Sequence, residues 1–213
     1  MTFDAARIIY IHAELSKKHK IEPGFKDEHI INSIIYKMDN KINDQELYPD
    51  DYLKAACLFE GIIRLHPFID GNKRTALAST QEYLLEKNVV FVIPLSATGF
   101  AVKVAQENRL DQEIIENLIK NISGWLKYRS ASINNTPRLK KIFEYDIELI
   151  QKIQKIANDR NKPEILERTI DYWLAKDVYP DSDLTLDQAL KFIVERANYT
   201  MAFYKQKSKK VKK

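Results

Sequence analysis

Apolar residues recur at helical spacing through most of the chain. Residues 5–19 place Ile8, Ile9, Ile11, His12 and Leu15 near one another, which predicts a helix. The segment EPGF (22–25) interrupts the pattern. A second apolar helix is expected over His29–Met38, with Ile30, Ile31, Ile34 and Ile35. Residues 39–49, DNKINDQELYP, are polar and end in proline, so they read as a loop. A third helix is expected from Asp50 to Arg64, carrying Leu53, Ala56, Cys57 and Ile63. Residues 72–87 resume a helix whose small residues (Ala76, Ala78, Ser79, Thr80) allow close neighbours. VVFVI (89–93) is β-branched and short, fitting a strand or a buried extended segment. Two further helices are expected at Ser96–Asn108 and Asp111–Tyr128.

RSASINNTP (129–137) is polar and turn-rich and reads as a linker. Beyond it, residues 146–158 place Leu149, Ile150, Ile153, Ile156 and Ala157 on one helical face. Pro163 suits the first turn of a following helix with Ile165, Leu166, Ile170, Trp173 and Leu174. Thr185 and Gln188 form a capping-box pattern before a helix with Leu186, Leu190, Ile193, Ala197 and Met201. The expected fold class is all-α. The expected organisation is a domain over 1–128, a linker over 129–137, a helical extension over 138–204 and a basic tail over 205–213.

Composition adds limits. The chain has 213 residues, 45% hydrophobic and 30% charged, with five glycines and seven prolines, which argues against a loop-rich β protein. No stretch has the roughly 18 uninterrupted apolar residues of a membrane span, so no membrane contact is expected. MTFDAARIIY lacks a basic region before an apolar core, as a signal peptide would require. The single cysteine, Cys57, excludes an internal disulfide and lies among apolar residues, which suits a core position. A cytoplasmic location is the expectation. The net charge of +4 is a property of the end of the chain: residues 205–213 carry six lysines. Residues 1–128 carry 16 cations and 18 anions, and residues 129–204 carry 12 of each. The tail reads as a solvated end, with contact to nucleic acid or an acidic partner as the sharper alternative.

One stretch is chemically dense: HPFIDGNKRTAL, His66 to Leu77. His66 can accept a proton from a hydroxyl near neutral pH. Phe68 suits an anchor for the loop. A helix is expected to begin after Asp70-Gly71, and a helix N-terminus attracts anions. Gly71 permits positive φ and close approach of a phosphate to the backbone. Asn72, Lys73 and Arg74 add an amide and two cations to this cradle. A carboxylate beside a phosphate cradle makes sense if a divalent cation, such as Mg²⁺, lies between them, so Asp70 is the candidate metal ligand. Base, carboxylate and phosphate nest together suit transfer of a phosphorus-containing group to a hydroxyl. His12, His19 and His29 have no metal-ligand spacing and read as structural or surface residues.

The stretch resembles the signature of the Fic/Doc superfamily, H-x-F-x-[D/E]-[G/A]-N-[G/K]-R followed by T. It matches at His66, Phe68, Asp70, Gly71, Asn72, Lys73, Arg74 and Thr75. The resemblance implies an all-helical catalytic core over about residues 3–128, with ATP and Mg²⁺ as cofactors and a protein hydroxyl as acceptor. It implies His66 as general base, Asp70 as metal ligand and orienting group, and Asn72, Lys73 and Arg74 as phosphate ligands, with the Gly71–Lys73 backbone as anion hole. Residues 39–49 fall where the family has a flap, a short hairpin that docks the target segment. Lys73 in place of glycine, and Leu77 in place of a second arginine, resemble the Doc (death-on-curing) branch, toxin kinases that phosphorylate a translation factor. HPF with Gly71 leans toward the Fic branch, which transfers AMP. Phosphoryl transfer is favoured, with adenylyl transfer as the alternative. The S/T-x-x-x-E-G/N motif of the family's inhibitory helix is absent, which suits a separate antitoxin partner.

Residues 138–175 resemble a ribbon-helix-helix unit in spacing: a short strand, a helix, a tight turn and a second helix. On that reading Arg138, Lys140 and Lys141 would reach DNA, and the pocket would be vestigial in a DNA-binding regulator. The balanced charge over 129–204 argues instead for a plain helical extension.

Overall fold

The computed structural model describes residues 3–94, 97–107, 109 and 111–159. The chain divides into two compact units, Met1–Ser130 and Ala131–Lys213.

In the first unit the order is α1 (Ala5–His19), α2 (His29–Met38), β1 (Lys41–Ile42), β2 (Gln45–Glu46), α3 (Asp51–Leu65), α4 (Asn72–Glu86), β3 (Val89–Phe91), α5 (Ala97–Ala105) and α6 (Gln112–Tyr128). The all-α expectation holds, with only short strands among the described residues. Helix starts follow their caps. Asp4, Asp50 and Asp111 each accept a backbone N–H from the first turn of α1, α3 and α6.

α3 is the axis of this unit. Ala55 through Ile63 are all buried, so the helix is covered on every side. It packs against α2, α4, α5 and α6. Gly61 makes the approach of α2 possible, because a Cβ there would lie 2.8 Å from Ile34 Cγ1. α4 offers Ala76, Ser79 and Thr80 as buried small residues, as its composition suggested. Phe59, Phe91, Phe100 and Trp125 form an aromatic cluster between α3, β3, α5 and α6, with Phe100 stacked on Trp125 at 4.3 Å. Cys57 is fully buried, and burial pushes its thiol up to about 12, so it is packing and not a nucleophile.

The polar loop 39–49 is a small hairpin. Lys41 pairs with Glu46 and Ile42 with Gln45. Asn43 and Asp44 turn the chain with φ of 50° and 62°, as a primed two-residue turn requires. Lys54 on α3 reaches Asp39 at 3.2 Å and Glu46 at 3.3 Å, tying the hairpin's base to the core.

The second unit contains α7 (Thr136–Asp159). The helix begins inside the expected linker, and β4 (Ser130–Ser132) occupies another part of it. Asn135 explains the early start: its Oδ1 accepts the Arg138 N–H at 3.2 Å, an N-cap, and Pro137 falls in the first turn, where its missing N–H costs nothing. The short strand expected from Arg138 for a ribbon-helix-helix is therefore not formed. Arg138, Lys140 and Lys141 lie in the first turns of α7, and Lys140 pairs with Glu144 one turn on, at 3.4 Å. The later helices expected around 163–175 and 185–201, and the basic tail, lie outside the described residues.

Candidate active site

His66 is the C-cap of α3 and has left-handed backbone, φ 49° and ψ 57°. That conformation is uncommon for a side chain larger than glycine and marks a held position. The last turn of α3 is fastened just before it. Arg64 donates to Glu60 at 2.8 Å, to the Glu107 carbonyl at 3.0 Å and to the Arg109 carbonyl at 2.9 Å. Glu60 is buried and also faces Lys37 at 3.5 Å. His66 itself is half-buried. Burial, followed by the charges of Lys26 and Lys73, holds its imidazole below the ordinary value of about 6.5. These influences favour the neutral imidazole, the form that accepts a proton.

The loop after His66 is held from three directions. Phe68 is fully buried and stacks on His12, with centroids 3.8 Å apart. Asn72 closes on the backbone of Phe68: the Phe68 N–H donates to Oδ1 at 3.0 Å, and Nδ2 donates to the Phe68 carbonyl at 2.8 Å. Gly24 to Asp27 run antiparallel to the loop. Lys26 N–H donates to the Pro67 carbonyl at 2.8 Å, Ile69 N–H donates to the Gly24 carbonyl at 3.1 Å, and Phe25 bridges Phe68.

Asn72, read from the sequence as a phosphate ligand, is buried and engages the loop through both heteroatoms of its amide. It acts on the site by setting the path from Pro67 to Lys73. Asn72→Ala leaves a buried N–H and C=O of Phe68 without their partner, at about 1–3 kcal/mol for each. The expected result is a lower urea midpoint together with weaker ATP binding by calorimetry. Unchanged ATP affinity in a protein with a lowered midpoint would mean the clamp serves the fold alone.

Gly71 is needed for a reason different from phosphate access. Its φ is 76°, and a Cβ would lie 2.7 Å from Ile21 Cγ2. Close packing against the α1–α2 connection, together with positive φ, excludes other residues. Gly71 brings no side-chain cap to α4, so the helix opens toward the loop with its positive end. Lys73 and Arg74 follow in the first turn, both half-buried. Asp70 is exposed, and one of its oxygens accepts the Gly71 N–H at 2.6 Å. Among the described residues no group of three or more His, Cys, Asp or Glu could hold a metal. Asp70 is thus a single exposed carboxylate at the edge of the loop, with one oxygen on the Gly71 N–H.

Two residues of this site have no local signal in the sequence. His12 lies on the apolar face of α1 between Ile8 and Ile11 on one side and the loop on the other. Its Nδ1 is 3.1 Å from Thr75 Oγ1, so it links α1 to the first turn of α4. Burial lowers its pKa, partly opposed by the charge of Asp70. Lys26 lies 40 residues before His66, yet its charge acts on that ring. Of the residues singled out in the motif, His66, Asp70, Gly71, Asn72, Lys73 and Arg74 are brought together by the α3–α4 connection, with Phe68 beneath them.

No curated protein and no solved structure matches the chain. A family model does: residues 2–84 match the Fic/DOC family, a stretch that runs through α1, α2, the hairpin, α3, the motif loop and most of α4. Over that stretch, which contains the whole motif loop together with His12 and Lys26, the chain is similar to the Fic/DOC family.

Proposed function

We propose that the protein moves the γ-phosphoryl group of ATP to a hydroxyl of a target protein. The similarity of residues 2–84 to the Fic/DOC family supports a Fic-type transferase in general terms. The observation that carries the reading is His66 at the C-cap of α3, under the charges of Lys26 and of Lys73 at the opening of α4. The acceptor hydroxyl gives its proton to His66 as its oxygen attacks phosphorus. The bond from phosphorus to the bridging oxygen breaks, and ADP leaves with the electron pair. Lys73, Arg74 and the first-turn N–H groups of α4 hold the phosphates. Mg²⁺, held on the protein side by Asp70, would neutralise phosphate charge.

Lys73 and Leu77 favour γ- over α-phosphoryl transfer. Lys73 sets a bulky cation where the AMP-transferring branch has glycine, and Leu77 is half-buried against the core where that branch has a second arginine. A toxin kinase acting on a translation factor, restrained by a separate antitoxin in the cytoplasm, is the corresponding biological role. The DNA-binding alternative is weaker, because residues 138–145 are helical and the ribbon it needs is not there.

The test uses two labels. Purified protein is incubated with cell lysate and Mg²⁺, once with γ-³²P-ATP and once with α-³²P-ATP. Protein label from γ alone is the expected result. Label from α would replace the kinase reading with adenylyl transfer.

A further inference from the structure

We infer that Lys26 is a catalytic residue whose ammonium binds the phosphoryl group under attack, as the partner of Lys73 beside His66. The inference rests on the phosphoryl-transfer reading and adds a ligand from outside the motif.

The first support is placement. The segment Gly24–Asp27 is bonded to the motif loop along its length, through Lys26 N–H to the Pro67 carbonyl and Ile69 N–H to the Gly24 carbonyl. Phe25 bridges Phe68 in antiparallel register, so Lys26 lies opposite Pro67, next to His66. The backbone of Lys26 is therefore as fixed as the loop itself, while its side chain is exposed.

The second support is charge. No carboxylate among the described residues pairs with the Lys26 ammonium. The adjacent acid, Asp27, is turned away to accept the His29 N–H at 2.9 Å at the start of α2. Lys26 and Lys73 act on His66 from two different elements, and both lower its affinity for a proton. Like charges gathered around a base without a counter-ion are unfavourable until an anion arrives.

The third support is chemical. A hydroxyl whose proton goes to His66 must attack a phosphorus one bond further on. Charge in the transition state spreads over the oxygens of that transferring group. A cation beside His66 is thus beside those oxygens. Lys26 contributes charge, while the proton of the hydroxyl goes to His66.

The test compares the full-length protein with Lys26→Gln and Lys26→Arg. Transfer by Lys26→Gln is expected to fall on the order of 10²-fold in kcat, as when one oxyanion donor is removed. Its acid limb moves to higher pH, because His66 then protonates more readily. Calorimetry is expected to show ATP affinity falling more than ADP affinity, since the γ-phosphate is the group lost between them. Lys26→Arg should recover most of the rate. Transfer by Lys26→Gln within about threefold of wild type, or equal loss of ADP and ATP affinity, would overturn the inference. The labelled-ATP assay on the unaltered protein decides the γ-phosphoryl reading separately. Label from γ with an active Lys26→Gln defeats only the role of Lys26.

Discussion

His66→Asn is expected to lower phosphoryl transfer by about 10³-fold, within the range for loss of a positioned general base. Asparagine is the choice because it tolerates left-handed backbone, and His66 sits at φ 49°. The thermal midpoint should stay close to that of the unaltered protein, since α3 is fastened by Arg64 and Glu60 and not by the imidazole. The pH profile is part of the same result. Burial, Lys26 and Lys73 all disfavour the imidazolium, so the acid limb of kcat/KM for the unaltered protein falls below about pH 6.5. The sign carries over to stability. A histidine whose folded pKa is lowered stabilises the fold above its unfolded value, and that contribution is lost as pH falls through the folded one. His12 and His66 both act in this direction, so the unit loses stability below about pH 6.5. Initial rates of γ-³²P transfer between pH 5 and 9 check the kinetic part. A His66→Asn protein with a tenth or more of the original rate would remove His66 from the role of base.

Phe68→Ala is expected to cost about 3–5 kcal/mol, the usual range for emptying a buried aromatic site. Phe68 is fully buried, stacked on His12 at 3.8 Å and in contact with Phe25 at 5.5 Å. Against a typical total of about 5–15 kcal/mol, this is a large share of the stability. The cavity would open directly beneath the motif, between α1 and the 24–27 segment. Transfer should therefore fall even at temperatures where the helices persist. Urea unfolding followed by circular dichroism gives the midpoint, and Phe68→Leu, which refills part of the volume, should lose less. A Phe68→Ala midpoint indistinguishable from that of the unaltered protein would mean that the loop is held by its hydrogen bonds alone.

Much of the first unit was legible along the chain because helices impose a short period. The boundaries expected for α1 and α2 agree with Ala5–His19 and His29–Met38; α3 is shifted by one residue at each end, and α4 ends one residue earlier than expected. The motif was legible for a similar reason: His66 to Thr75 are close in sequence, and a turn followed by a helix start brings them together. The α7 start was misread because Thr136-Pro137 looks like the end of a linker, while Asn135 turns it into a capped first turn.

The sequence alone determined the helical class, the position of the His66–Thr75 motif and the chemical types gathered in it. The tertiary structure decided how those types are used. His12 reaches Thr75 across 63 positions, and Lys26 meets Pro67 across 41. Gly71 is required by Ile21, and Asn72 is turned inward to hold Phe68. Each of these depends on which helix faces which, and that is set by side-chain packing around α3, not by any period within one segment.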